Sequence, residues 1–316
     1  MTGIRRGIIL AAGAAVVLGI VSPIPTAIAA DCSQTSVGLT PLMDLGTGTY
    51  KGFEGGLYPS GKDGLPKAYR DIGKRRAGKI QPLNANGAPS ANGRIVLLSV
   101  GMSNTQQKFG AFMQQEQSDS LVNPHLVLVN GAQGGQDAVT IANPDAPFWE
   151  KIDGRLAESN VNRQQVEVVW LKEAIAREDR PFPDDAQGLQ DLLRQIVQIM
   201  KGRYPNLKIV YLASRTYGGY ATTDLNPEPF AYESGFAVKW LVGEDIASPA
   251  KEHPWLAWGP YLWTDGLDGR SDGLVWTCQD VESDGTHPSS SGEQKVATLL
   301  GSFFTKKSTA KPWFLA

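Results

Sequence analysis

"RIVLLSVGMSNTQQKFGAFMQQEQ", Arg94 to Gln117, decides the fold. Its opening run, "RIVLLSV", is a nearly unbroken series of Val, Ile and Leu, the pattern of a strand buried on both faces. After Gly101 and Met102 the sequence turns to helix formers, so the stretch predicts a strand, a tight turn and a helix. Ser103 stands at that turn. A serine there suits a helix N-cap, its hydroxyl accepting an orphan backbone N–H of the first turn. It equally suits a nucleophile presented on a strand-to-helix turn, and the stretch alone leaves both readings open.

The pattern repeats outward. "HLVLVNG" (125–131), "VEVVWLK" (166–172) and "LKIVYLAS" (207–214) are further short apolar runs. Between and after them lie the helical stretches "PFWEKIDGRLAES", "AQGLQDLLRQIVQIMKGRYP", "YESGFAVKWLVGEDI" and "SSSGEQKVATLLGSFFTKK". In the second of these, Leu189, Leu192, Leu193, Ile196, Val197 and Met200 form an i, i+3, i+4 stripe. Strand–helix alternation with short links predicts an α/β protein whose parallel sheet is covered on both faces. Sites in such sheets sit at the carboxyl ends of the strands.

Residues 1–29 read as a secretory signal peptide: Arg5 and Arg6, an apolar run, then Ala27-Ile28-Ala29 as an A-x-A cleavage pattern near Ala29. A secreted or periplasmic location follows, with no membrane association after cleavage. Residues 30–92, rich in Gly, Pro and Lys, predict an irregular N-terminal arm with little regular structure of its own. Residues 93–316 form the expected catalytic domain, most simply a monomer. The whole chain has 30 basic and 32 acidic residues, and "KRRAGK" (74–79), read as a solvated loop, is its one basic cluster, so no nucleic-acid partner is expected. Cys32 and Cys278 are the only cysteines; in an exported chain an even pair most simply forms one disulfide, though two free thiols remain compatible. No Cys/His cluster has metal-ligand spacing, so neither a metal nor a cofactor is expected.

The strand ends carry Gly101 to Asn104, the loop "NGAQGGQDA" (130–138), "WLKEA" (170–174) and "ASRTYGGYATT" (213–223). The chain has three histidines. His125 opens a strand at the amino end of the sheet, and His253 lies in a Trp-rich loop. His287 sits between a "DGT" turn and Pro288, with Asp284 three residues before it. A serine hydroxyl needs a neighbouring base, and the base needs an acid that fixes its tautomer. Asp-x-x-His suits that acid–base pair; a capping Asp beside a solvated loop His fits the spacing as well.

These residues resemble a family. "VGMSN" resembles the first block of the SGNH (GDSL-type) hydrolases, nearest to the Gly-Gln-Ser-Asn form of some carbohydrate acetylesterases. "NGAQGG" resembles the second block and "DGTHPSSSGEQKVA" (284–297) the last. The resemblance covers about residues 94 to 306. It implies a three-layer α/β/α flavodoxin-like fold, with Ser103 as nucleophile, His287 as base and Asp284 as orienting acid. The oxyanion hole would use the backbone N–H of Ser103 and of Gly135, with Gly134 second, each donor worth roughly 3–4 kcal/mol in the transition state. One block departs: where the family has an Asn or Gln donor after the third strand, this chain has Lys172 and Glu173. Lys172 can donate and ionised Glu173 cannot, and the two equally fit a surface ion pair. Asn104 or Asn130 is a further source of a side-chain donor.

Two features bear on substrate. "HPWLAWGPYLWTDG" (253–266) gathers Trp255, Trp258, Tyr261 and Trp263, either a face for sugar rings or a small core of the loop itself. Arg215 ends the fourth run, where it could grip an anionic substrate group or join a structural ion pair. The expected function is a secreted serine esterase that removes acetyl or other short acyl groups from a carbohydrate. The alternatives are a non-catalytic carbohydrate- or wall-binding protein on the same fold, and an extracellular O-acyltransferase.

Overall fold

The computed structural model describes residues 2–3, 29–117, 119–177, 179–249 and 253–316. Apart from Thr2, Gly3 and Ala29, the expected signal peptide lies outside the described residues. The main elements are, in order, α1 (Lys67–Ala77), β1 (Ile95–Gly101), α2 (Ser103–Glu116), β2 (Leu126–Asn130), α3 (Pro147–Glu158) and β3 (Val166–Lys172). They continue with α4 (Asp184–Arg203), β4 (Ile209–Ala213), α5 (Phe230–Ala247), β5 (Trp255–Trp258) and α6 (Ser290–Lys306).

The five strands form one parallel sheet in the order β2-β1-β3-β4-β5. This is the flavodoxin-like order, in which the chain reverses direction across the sheet at β1 and β3 and leaves a crevice at their carboxyl ends. Every residue of β1, β3, β4 and β5 is buried, while the edge strand β2 is mostly half-buried. α2 packs with α6 on one face and α4 with α5 on the other, giving three layers. Trp170 of β3 stacks on Phe109 of α2, with ring centroids 5.8 Å apart, and Tyr211 of β4 meets Phe303 and Phe304 of α6 edge-on. The register sets Gly101 opposite Lys172 and Lys172 opposite Ala213, so the loops that should carry the chemistry leave the sheet side by side.

Two expectations are corrected. The arm, expected to hold little regular structure, carries one sizeable helix: residues 67–77 form α1, and most of the "KRRAGK" segment is the end of this helix rather than a loop. α1 covers the free edge of β5. Tyr69 stacks on Trp255, and its hydroxyl donates to the Leu256 carbonyl at 2.8 Å. That contact occupies an edge strand's open backbone, which would otherwise invite pairing with another chain. Second, Trp255 to Trp258 is a strand, not loop. Of the two readings left open for the aromatic residues of that stretch, the core one fits: Trp255 and Trp258 are 2% exposed, Tyr261 5% and Trp263 0%. Their indole N–H groups are used internally, Trp258 donating to the Leu57 carbonyl and Trp263 to Glu228, both at 2.7 Å. They are core side chains, not an aromatic face displayed to solvent.

Candidate active site

The strand-to-helix turn after β1 depends on a bare Gly101. A Cβ there would sit 2.1 Å from the Lys172 carbonyl oxygen, which also accepts the Thr105 hydroxyl at 2.6 Å. Met102 is extended and occupies the cap position, so Ser103 is the first residue of α2 and does not cap it. The N-cap reading of Ser103 is therefore replaced. Its hydroxyl lies 2.9 Å from His287 Nε2, and its own N–H stands at a helix start, where no intrahelical acceptor exists.

His287 comes from the irregular segment between β5 and α6. Its Nδ1 lies 2.5 Å from Asp284 Oδ2, while Asp284 Oδ1 accepts the N–H groups of Thr286 and His287, each at 2.9 Å. Burial pushes the Asp284 carboxyl up. The hydrogen bond from His287 and the two backbone N–H groups more than reverse this, so it ends below its ordinary value. An ionised Asp284 accepts only, which assigns the ring proton to Nδ1 and leaves Nε2 free to take the Ser103 proton. Ser103, His287 and Asp284 thus form one continuous hydrogen-bonded chain. It is open to solvent: Ser103 is half-buried, and the side chains of His287 and Asp284 are 28% and 31% exposed.

The second loop stands against Ser103. Gln133 fixes it, its N–H donating to the Gly101 carbonyl at 2.9 Å and its amide to the Phe148 carbonyl at 2.8 Å. A Cβ on Gly134 would sit 3.8 Å from the Ser103 Cβ, and Gly135 follows with φ +71°. Gly134 thus stands beside Ser103, its missing side chain facing it, while a Cβ on Gly135 would meet nothing within 4 Å.

The third block is not a surface pair. Lys172 and Glu173 are each 1% exposed, and Arg215 is 3% exposed. With Asn104, Lys108 and Thr216 they make a buried polar layer beneath the first turn of α2. Lys108 Nζ donates to Asn104 Oδ1 and Thr216 Oγ1, both at 3.1 Å. Burial drives the Lys172 amine well down, and the Arg215 charge drives it further. Burial drives the Glu173 carboxyl well up, against the Ala174 N–H at 2.9 Å and the charge of Lys172. Arg215 is held within this layer and is not displayed to solvent. Asn130 is also engaged, accepting from Ser99 at 2.9 Å and donating to the Gln106 carbonyl at 2.7 Å. Lys108, four residues after Asn104 on one helix face, escaped the sequence reading; the i, i+4 spacing was its only signal.

Cys32 and Cys278 are disulfide-bonded, with Cα atoms 5.4 Å apart. His125 lies at the amino end of the sheet, its Nδ1 3.1 Å from the Gly93 carbonyl. Among the described residues no group of three His, Cys, Asp or Glu side chains could hold a metal ion, and no helix is long and apolar enough to cross a membrane. A cavity of about 650 Å³ lies over β5 between Tyr58, Arg70, Trp258 and Phe303, and none of the triad lines it.

No family model matches the chain, and no curated protein matches it. Solved structures do align with it at low identity. A Bacillus subtilis protein is 12% identical over 69% of this chain, with a TM-score of 0.41, and the alignment spans 58% of that protein. The periplasmic domain of a Salmonella ser. Paratyphi A lipopolysaccharide acetyltransferase is 14% identical over 74% of this chain and 94% of its own, with a TM-score of 0.40. A carbohydrate esterase family 3 enzyme from Talaromyces cellulolyticus is 15% identical over 66% of this chain and 94% of its own, with a TM-score of 0.38.

Proposed function

We propose that this chain is an exported serine esterase of the SGNH type that removes short acyl groups, acetyl above all, from a carbohydrate. The observation that carries the reading is the unbroken chain Ser103 Oγ, His287 Nε2, His287 Nδ1, Asp284 Oδ2, with contacts of 2.9 and 2.5 Å. Ser103 Oγ attacks the ester carbonyl as His287 Nε2 takes its proton. Asp284 holds the Nδ1 proton and stabilises the imidazolium that forms. The N–H groups of Ser103 and the glycine loop receive the oxyanion, and Lys172, at the end of the neighbouring strand, takes the place of the missing amide donor. His287 returns the proton to the departing sugar hydroxyl, leaving the acyl group on Ser103. A water deprotonated by the same nitrogen then releases the acid.

The exposure of His287 and Asp284 favours hydrolysis over transfer, because an acyl-enzyme this open to solvent meets water first. It also suits a bulky or polymeric substrate, which a closed pocket would exclude. The Cys32–Cys278 disulfide supports an oxidising compartment. The test is turnover of an aryl acetate together with labelling by a fluorophosphonate. Turnover with labelling supports the esterase. Labelling with turnover only after adding a sugar acceptor makes it an acyltransferase, and neither result leaves a binding protein.

A further inference from the structure

We infer that the segment Asp31–Leu39, locked by the Cys32–Cys278 disulfide, is a positioning strap that holds the Asp284–His287 turn in register with Ser103; this rests on the serine-esterase reading. His287 lies near the end of some thirty residues between β5 and α6 with no helix or strand beyond one 3-10 turn, Cys278–Asp280. A segment of that length does not hold two side chains to the sub-ångström tolerance that catalysis needs unless something fixes it.

Residues 32–35 are all exposed, and of the strap's apolar side chains Val37 and Leu39 pack on the core. The strap's hydrogen bonds go to the loops around the catalytic turn. Asp31 N–H donates to the Tyr220 carbonyl at 3.0 Å, and Leu267 N–H donates to the Thr35 carbonyl at 2.7 Å. The Tyr217 hydroxyl donates to the Gln34 carbonyl at 2.7 Å. Asp265, 3% exposed, accepts from Ser36 Oγ at 2.7 Å and from the N–H groups of Val37 and Gly38 at 2.8 and 2.9 Å.

Two paths run from there to the triad. Through Tyr220, the carbonyl that accepts Asp31 abuts Gly285 inside the catalytic turn, and Thr222 N–H donates to the Asp284 carbonyl at 3.2 Å. Through the disulfide, Cys278 opens the turn whose Asp280 carbonyl accepts Ser289 N–H at 3.0 Å, while Glu282 N–H donates to the His287 carbonyl at 2.8 Å. The strap therefore grips the catalytic turn from both sides while touching none of the reacting atoms.

The experiment uses the full mature chain and two variants, the Cys32→Ala/Cys278→Ala double substitution and Tyr217→Phe with the disulfide intact. Two readouts are taken well below the unfolding temperature: kcat and KM on an aryl acetate, and the proton resonance of the His287 Nδ1–H···Asp284 hydrogen bond. With three histidines in the chain, that resonance is assigned by its loss in His287→Gln. The expected result is a kcat lowered by about 10- to 100-fold in the double variant, with KM within about twofold and the resonance lost to rapid exchange. Wild-type kcat and an unchanged resonance, with only a lower melting temperature, would overturn the strap and leave a plain stabilising crosslink. Should the wild type itself neither turn over nor label, the esterase reading fails, and the resonance still decides the strap. Should the double variant not fold, faster exchange of this proton in Tyr217→Phe supports the strap and an unchanged rate overturns it.

Discussion

Gly285→Ala tests whether the catalytic turn is held as tightly as its contacts imply. Gly285 has φ +70°, and a Cβ there would sit 1.8 Å from the Tyr220 carbonyl oxygen and 2.3 Å from its carbon. Two costs add. A side chain in left-handed backbone costs about 1–2 kcal/mol. Forcing a methyl against backbone that cannot swing aside costs about 1–3 kcal/mol more. Together they remove on the order of 2–5 kcal/mol, a fall of roughly 4–10 °C in melting temperature for a domain of this size. Gly273→Ala is the control, because Gly273 has φ +87° and open space around it; it carries the first cost alone, about 2–4 °C. The displaced turn moves Asp284 and His287 away from Ser103, so Gly285→Ala also lowers kcat by about 100-fold, whereas Gly273→Ala keeps the wild-type value. Calorimetry and aryl acetate kinetics on the two purified variants give both readouts. Equal losses of stability and equal kcat in the pair would refute the argument.

Lys172→Met is expected to lower kcat by about 10²–10³-fold with little change in KM, as removal of an oxyanion donor does; a kcat within threefold of wild type would make the third block scaffold. Mass spectrometry of the unreduced mature chain should find no alkylatable thiol, and reduction should cost about 5–6 kcal/mol of stability in the loop-entropy model for a separation of 246 residues. The third concerns pH. Burial lifts the carboxyl of fully buried Glu167 to about 7, against the pull of Lys208 at 2.5 Å. A raised carboxyl favours the fold fully below its unfolded value and loses that contribution as pH rises through 7. The wild type should therefore lose on the order of 2–3 kcal/mol between pH 4 and pH 8 from this group, and Glu167→Gln should flatten that slope; an unchanged slope would contradict the assignment.

The sheet was legible because β1, β3 and β4 are buried on both faces, and that burial writes itself as continuous Val, Ile and Leu. β5 was not, since its four residues are Trp-Leu-Ala-Trp set among further tryptophans and prolines. α1 escaped for a related reason: the positions it buries are Tyr69, Gly73 and Ala77, and glycine and alanine leave no apolar period. Gly73 is small because the Trp255 ring lies against it, a tertiary fact with no local trace. The triad was readable because Asp284 and His287 share one turn and the chain has few histidines to choose from. The surroundings were harder. Lys172 and Glu173 fitted a site donor or a surface ion pair equally, and Arg215 an anion grip or a structural pair; only the tertiary packing sets them in one buried layer, where burial drives the amine and the carboxyl toward their neutral forms. The hold of residues 31–39 on the catalytic turn, across more than 240 positions of sequence, leaves a mark only in the pairing of Cys32 with Cys278.

The central claim is that Ser103 is the nucleophile and His287 its base. The most direct measurement is to label the mature protein with a fluorophosphonate, digest it and locate the adduct by mass spectrometry, with Ser103→Ala and His287→Gln alongside. The account predicts a single adduct on the peptide containing Ser103, none in Ser103→Ala, and labelling and ester turnover slowed by about 10³-fold or more in His287→Gln. An adduct on another residue, or wild-type turnover in folded Ser103→Ala, would contradict it.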